Sequence, residues 1–336
     1  MRVIINALQT THVSEDTVGE VERAILSDPR VRSVHGNHLF PRTTGAIVWR
    51  LYEHFSPRLL SILFSLRLCD EHFAVLMGPR FRKCAPYFST ARRRHVYLFD
   101  AWPQWHEAIR RFVRVFRVDT LFVSSSQVAA KLDPIGRCRA YWVPEGIDLD
   151  EYQSPPHIQR SIDVLELGRR HEAYHHLVTP ALATGGRLHI YESKPGELVF
   201  PDRAAFIAGL ARTKVSICFP SNITTPERAG DIETMTIRYL QSMVSKCLVV
   251  GHAPAEMLSL FGYNPVVEAD MRHPAEQLLA IIMNYPQYLP LIERNYETVR
   301  ARHTWEERWN TMRSLLTPRN PACPPVRPMD GSGPTR

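Results

Sequence analysis

Residues 233–251 read ETMTIRYLQSMVSKCLVVG. A polar loop, SNITTPERAGDI, leads into a helical pattern at 234–245, which runs through Ser245-Lys246-Cys247 into the apolar stretch LVVG. A helix followed at once by a short apolar strand is the repeating unit of an open parallel sheet, with the helix N-terminus at the ligand edge. Free N–H groups and the helix dipole make such an end attractive to anions. Thr234 and Thr236 add hydroxyls there, and Glu233 stands at the mouth as a carboxylate. The pattern fits a diphosphate-binding helix with an adjacent acid; it also fits a surface helix capped by a threonine.

The same alternation runs outward in both directions. Strand-like runs fall at RVIINAL near the start, 73–78, 95–100, 120–125 and 140–144, then again at 161–168, 187–192, 215–220, 247–251 and 264–269. Helical patterns lie between them at 14–27, 45–68 (broken at Pro57), 104–117, 126–132, 170–183, 202–212, 254–261 and 274–284. Alternating strands and helices predict an α/β fold with mainly parallel sheets. Two doubly wound, Rossmann-like domains in tandem account for the count, at 1–145 and 161–302. The Pro- and Gly-punctuated stretch VPEGIDLDEYQSPPHIQ (143–159) supplies a linker at 146–160. Residues 285–300 and 303–317 read as closing helices, the last capped by Thr304 with Glu307 three residues on. The Pro-rich tail 318–336 has little to bury and is expected to be disordered.

Composition excludes several classes. The chain has 336 residues and six cysteines with no C-x-x-C pair, which argues for buried, reduced thiols rather than a zinc site. No run approaches the roughly 18 apolar residues of a membrane span. The opening MRVIINAL is too short for a secretory signal, so a cytoplasmic protein is expected. The net charge of +7 is lopsided: residues 1–142 carry 21 Lys and Arg against 12 Asp and Glu, and the rest 20 against 22. Arg80-Phe81-Arg82-Lys83, Arg92-Arg93-Arg94 and Arg110, Arg111, Arg114 and Arg117 are the dense clusters. They suit an anionic membrane surface, an acidic acceptor or nucleic acid, and equally a solvated helix face. The basic, apolar 46–68 segment is a candidate for peripheral contact with the inner membrane face, or a packed helix.

The 233–251 stretch resembles the signature of group 1 (family 4-like) glycosyltransferases of the GT-B fold, in which one Glu, seven residues and a second Glu precede a turn and strand. Glu233 matches the first acid; Gln241 stands where the second would be, Lys246 replaces a usual Gly, and Thr234-Met235-Thr236 replaces a Gly-rich stretch. Val143-Pro144-Glu145-Gly146-Ile147-Asp148 resembles the family's interdomain turn, and Gly168-Arg169-Arg170 its Gly-Arg before a helix. The family's Lys a few residues later is missing, with Arg170, His171 or His175 as substitutes. The resemblance covers 140–316 well and 1–139 weakly. It implies two Rossmann-like domains around an interdomain cleft, with the terminal helix 303–317 crossing back to the first.

The resemblance further implies sugar transfer from a nucleoside-diphosphate sugar to an acceptor hydroxyl, usually retaining. No cofactor and no metal is implied, so diphosphate charge would fall to helix N-termini and arginines. Gly168, Arg169, Arg170, Thr234, Met235, Thr236 and Gln241 are the expected donor-binding residues, with Gln241 on ribose hydroxyls. Glu233 is an expected catalytic residue, accepting hydrogen bonds from the donor sugar or supporting the positively charged transition state rather than acting as a free base. Asp100, closing the strand HVYLFD, is an acceptor-side candidate beside Trp102 and Trp105, or a cap of the next helix. Asp148-Leu149-Asp150 mimics a D-x-D metal motif, but it lies in the linker without other ligands. The acceptor (glycan, lipid-linked or small molecule) is left open. Two alternatives stand beside transfer: a nucleotide-sugar epimerase of the same fold, and a basic nucleic-acid-binding protein with a degenerate transferase-like half.

Overall fold

The computed structural model describes residues 2–5, 16–33, 42–54, 69–88, 91–194 and 198–316. The expected break at Pro57, the 55–68 half of the basic segment and the 318–336 tail lie outside them. The first sheet contains β1 (Arg2–Ile5), β2 (Arg32–Ser33), β3 (Cys69–Met77), β4 (Ala91–Phe99), β5 (Thr120–Val123) and β6 (Arg139–Trp142). The second contains β7 (Ile162–Glu166), β8 (His189–Ile190), β9 (Thr213–Cys218), β10 (Leu248–Gly251) and β11 (Val267–Glu268). Every pairing is parallel, in the orders β2-β1-β3-β4-β5-β6 and β11-β10-β9-β7-β8. Each sheet thus reverses its winding once, between β1 and β3 and between β7 and β9. Doubly wound sheets open a ligand crevice at that reversal, beyond the strands' carboxyl ends.

Both faces of each sheet are buried, so the strands read as continuous apolar runs. On β4, Val96 and Leu98 join one cluster with Phe112 and Phe116, while Tyr97 and Phe99 point the other way into a cluster with Trp305 and Trp309. The helix His106–Phe116 buries His106, Ile109, Phe112, Val113 and Phe116 along one stripe and leaves its arginines outside. Trp305 and Trp309 belong to the helix Trp305–Leu316, which lies on the first sheet although it follows the second. Asp28 of the first domain fastens it, accepting from Trp309 Nε1 at 3.1 Å and Arg313 Nη1 at 2.8 Å. Thr304 caps it, its hydroxyl accepting from Glu307 N at 3.2 Å.

The diagnostic stretch is shorter as a helix than its periodicity suggests: Ile237–Val244 rather than 234–245. Residues 234–236 precede the helix: Glu256 claims the Thr234 hydroxyl and the Met235 N–H, and Thr236 is extended. At its other end Lys246 holds a left-handed φ of 55°, a conformation that a glycine would adopt without strain. Its ammonium pairs with Glu293 at 2.8 Å and lies 4.5 Å from the centre of the Tyr296 ring, contacts that offset the backbone cost. Three short helices, Ala85–Phe88, Ser221–Thr224 and Pro226–Ala229, and strand β2 had no sequence signal. Among the described residues no helix is long and apolar enough to cross a membrane.

Candidate functional site

The carboxyl ends of the two sheets face each other across a cleft of about 620 Å³. One wall is built from the loop after β3 (Gly78, Pro79, Arg80), the end of β4 (Asp100, Trp102, Trp105) and Thr17. The other carries Gly168 and Arg169 after β7, Ser221 after β9, Arg228, and Thr236, Ile237, Arg238 and Gln241 at the start of the Ile237–Val244 helix. Glu145, in the turn that joins the domains, closes the floor. Both winding reversals therefore open onto one space.

Two features distinguish this cleft from a gap between packed domains. It concentrates cations: Arg80, Arg169, Arg228 and Arg238 line it. Arg228 pairs with Asp100 across the cleft at 2.8 Å and stacks 5.1 Å from the Trp102 ring centre. Arg238 donates to the carbonyls of Leu167, Arg169 and Phe219 at 2.7, 2.9 and 3.3 Å, tying the ends of β7 and β9 together. The Arg169 guanidinium forms no hydrogen bond or ion pair among the described residues. Desolvation first, then the Arg228 and Arg238 cations, push it below its ordinary value, yet a guanidinium remains charged. Gly168 lets the chain turn toward the cleft at φ 62°.

The second feature is a set of buried side-chain polar atoms that lack partners. Among the described residues Thr17 Oγ1, Trp102 Nε1, Glu145 Oε2, Ser221 Oγ and Thr236 Oγ1 have none, and these five of the twenty such atoms belong to residues that line the cleft. Native proteins pair nearly all buried polar groups, so such a convergence marks where a polar ligand or ordered water belongs. The Glu145 carboxyl is strongly perturbed. Burial, then the carboxylates of Asp100, Glu256 and Glu20, push it up to about 8, against a hydrogen bond from the Ile237 backbone.

The residues singled out in the sequence divide into two groups. Asp100, Gly168, Arg169, Thr236 and Gln241 meet in the cleft. Asp100 holds φ 52° and binds Arg228 rather than capping a helix. Gln241 donates to Tyr152 Oη at 3.2 Å, and Tyr152 donates to Glu20 at 3.0 Å. Glu233, Thr234, Met235 and Arg170 do not line it. Glu233 accepts from Ala255 N at 3.2 Å and bonds His252 Nε2 at 2.9 Å, while its own N–H donates to Gln127. The Thr234 hydroxyl and the Met235 N–H both donate to Glu256 Oε1, at 2.6 and 2.7 Å. The Met235 side chain is core. Arg170 donates to the Glu192 carbonyl at 2.7 Å and pairs with Glu172 at 3.1 Å, beneath the rim rather than inside it. His171, a proposed substitute for the missing Lys, instead caps the helix Glu172–Thr184 by accepting from Tyr174 N at 3.1 Å.

Sequence reasoning missed Glu145, Thr17, Ser221 and Arg228. Glu145 was legible as an acid inside an otherwise apolar and glycine-punctuated turn, VPEGI. Thr17 sits in the first turn of helix Asp16–Leu26, and Ser221 and Arg228 in four-residue helices too short to show a period. One group of three metal-ligating side chains occurs among the described residues: Glu166, His175 and His189. Glu166 Oε1 is hydrogen-bonded to His175 Nδ1 at 2.9 Å and His189 Nε2 at 2.8 Å, and none of the three lines the cleft. The trio pins helix Glu172–Thr184 and edge strand β8 to the end of β7, just before Gly168.

No protein-family model and no curated protein matches the sequence. Solved structures do match. The chain is similar to HepE of Anabaena in complex with UDP, with a TM-score of 0.58 at 11% identity over 94% of this chain and 99% of that one. It is similar to sucrose-phosphate synthase of Thermosynechococcus elongatus (TM-score 0.56, 12% identity, 94% and 97% covered). It is also similar to α,α-trehalose 6-phosphate synthase of Burkholderia multivorans (TM-score 0.52, 11% identity, 94% and 95% covered). These neighbours are GT-B glycosyltransferases, matched along nearly their whole length. At such identity the likeness speaks for architecture: this chain has the GT-B fold, two Rossmann-like domains around one cleft.

Proposed function

We propose that the protein is a glycosyltransferase that moves a sugar from a nucleoside-diphosphate sugar to an acceptor hydroxyl within the interdomain cleft. The observation that carries this reading is the gathering of five partnerless buried polar atoms and an uncommitted arginine where both sheets reverse their winding. In this reading Arg169, whose fork suits phosphate oxygens, and the N-terminus of helix Ile237–Val244 with the Thr236 hydroxyl receive the diphosphate. Gln241 meets ribose hydroxyls. Glu145, protonated near neutral pH, donates its proton as a hydrogen bond to an anionic oxygen rather than repelling it.

Transfer breaks the bond from the anomeric carbon to the diphosphate oxygen, and the electron pair goes to that oxygen. The acceptor oxygen forms the new bond, and its proton passes to the departing phosphate in a retaining course. The leaving charge is met by fixed arginine and N–H groups, so the proposed reaction runs without a metal. Asp100, held by Arg228, orients the acceptor hydroxyl.

The HepE structures hold UDP, UDP with glucose, and UDP-glucose, which makes UDP-glucose the first donor to test. Titration calorimetry is expected to detect UDP binding. Arg169→Ala should reduce kcat/KM by about 10²–10³, the loss of about 3–4 kcal/mol typical of one charge-stabilising donor. Its melting temperature should change little, since the guanidinium makes no hydrogen bond or ion pair among the described residues. A variant with wild-type turnover sinks the assignment.

A further inference from the structure

Glu166 closes β7 two residues before Gly168, and its side chain is 2% exposed. Among the described residues no Lys or Arg pairs with it. Its partners are two imidazoles: His175 Nδ1 from helix Glu172–Thr184 at 2.9 Å and His189 Nε2 from β8 at 2.8 Å, both on Oε1. The other oxygen, Oε2, is buried without a partner, and so are His189 Nδ1 and the Tyr174 hydroxyl. Burial, then the Glu166 charge, push the Tyr174 phenol up, so it lies within electrostatic reach of the carboxylate. Buried charges in proteins are paired or coordinate metals, and buried polar atoms rarely go bare. Hydrogen bonds within the trio therefore leave its carboxylate half used.

The geometry suits a metal ion. The three ligand atoms lie within 4.8 Å of one another. Ligand atoms around a tetrahedral zinc stand roughly 3.3 Å apart, so the two carboxylate–imidazole distances need open by only about 0.5 Å. Each imidazole would stay neutral, its proton moving to the other ring nitrogen. For His175 that nitrogen, Nε2, has Thr179 Oγ1 at 3.4 Å, the kind of outer partner that orients a metal-bound histidine. Tyr191 packs against both rings, at 4.6 Å from His175 and 4.7 Å from His189 between ring centres. The site lies one side-chain layer below solvent: the His176 ring, 5.7 Å from that of His175, is 76% exposed. An ion thus has a short path in.

We propose that Glu166, His175 and His189 form a structural zinc site. Two imidazole nitrogens and one carboxylate suit zinc, whereas calcium and magnesium take six or more oxygens. Glu166 Oε2 or a water completes the coordination. The ion clamps helix Glu172–Thr184 and the edge strand β8 to the end of β7, just before the turn that carries Arg169. It stands outside the cleft and takes no part in bond making, so the inference does not rest on the transferase reading.

The test uses tag-free, full-length protein stripped with a chelator and then given zinc. Atomic emission after gel filtration should find one zinc per chain, and competition with a metal dye should give a Kd tighter than about 1 µM. Zinc at a hundredfold excess over that Kd should raise the melting temperature by about 4 °C, and magnesium and calcium should not. Cobalt in its place should show the intense visible bands of four-coordinate geometry. Glu166→Gln and His189→Gln should each weaken zinc by at least about a hundredfold, while His176→Ala binds as wild type does. The cobalt spectrum and the wild-type stoichiometry keep the test decisive if either ligand variant fails to fold. Less than 0.2 zinc per chain with an unchanged melting temperature overturns the proposal and leaves a hydrogen-bonded trio. Zinc affinity that survives both ligand variants, or falls with His176→Ala, places the ion elsewhere and overturns it too. So does a cobalt spectrum with only the weak bands of six-coordinate geometry.

Discussion

Glu256 and Glu145 are both buried carboxyls lying between the two domains, and their surroundings are opposite. Glu256 accepts four hydrogen bonds, from Ser126 N and Oγ at 2.9 and 2.8 Å in the first domain, and from Thr234 Oγ1 and Met235 N at 2.6 and 2.7 Å in the second. Glu145 has one backbone partner, a partnerless oxygen, and three carboxylates around it. The first arrangement closes a network; the second leaves one open toward the cleft. A saturated buried carboxylate orders structure, whereas an unsaturated one waits for a ligand or a proton. The difference separates a satisfied interdomain contact from the proposed donor site.

The largest expected effect breaks the closed half of that comparison. Glu256→Ala removes the acceptor of four donors on two domains, two of them main-chain N–H groups. With unsatisfied buried donors costing about 1–3 kcal/mol each and some reaching water, the net loss should be on the order of 3–5 kcal/mol. Urea denaturation would show it as a lower midpoint at an unchanged slope. A loss below about 1 kcal/mol would mean that the interdomain contact is not held by this carboxylate.

Much of this architecture was legible in the sequence, and for a physical reason. Parallel strands buried on both faces leave unbroken apolar runs such as FAVLM and LVVG, and helices between them keep their period. The winding reversals, Gly168-Arg169 after β7 and Asp100 after β4 follow from strand ends, which the runs mark directly. The roles of Glu233, Thr234 and Met235 did not follow. They stay outside the helix while Glu256, more than 20 residues on, captures the polar groups of 234–235, and Ala255 N–H and His252 capture Glu233. No local pattern announces a long-range hydrogen bond. Likewise nothing in one dimension brings Glu166 to His189, or Arg228 to Asp100.

A smaller effect sharpens the open half. The Glu145 carboxyl, raised from 4.5 to about 8, keeps its proton in the folded chain while the unfolded chain releases it. Stability must then fall as pH rises from about 4.5 to about 8 and level off beyond. Glu145→Gln mimics the protonated form and removes that slope. Relative to wild type it should gain on the order of 1–2 kcal/mol at pH 8 and nothing at pH 4, since each tenfold gain in proton affinity is worth about 1.4 kcal/mol before water in the cleft screens it. UDP affinity, measured from pH 7 to 9, should weaken in wild type as the ionised carboxylate meets the diphosphate and hold steady in the variant. Parallel pH profiles for the two proteins would remove Glu145 from the donor site.

The smallest effect tests the residue that the sequence favoured most. Glu233 belongs with Glu256 rather than with Glu145: its oxygens are spent on His252 and on the first N–H of helix Ala255–Phe261. Burial lowers the His252 imidazole, but the Glu268 and Glu233 carboxylates outweigh it and hold the ring above its usual value. A histidine raised on folding adds stability that is complete below its unfolded value near 6.5 and fades as pH climbs through its folded one. Glu233→Ala should therefore cost more at pH 6 than at pH 9, and under about 1 kcal/mol at either, because the pair is open to solvent. Turnover with UDP-glucose should stay within about threefold of wild type. A hundredfold loss at unchanged stability would instead mean that donor binding swings the Glu233 carboxylate from His252 into the cleft, and the division between closed and open carboxyls would have to be redrawn around a moving loop.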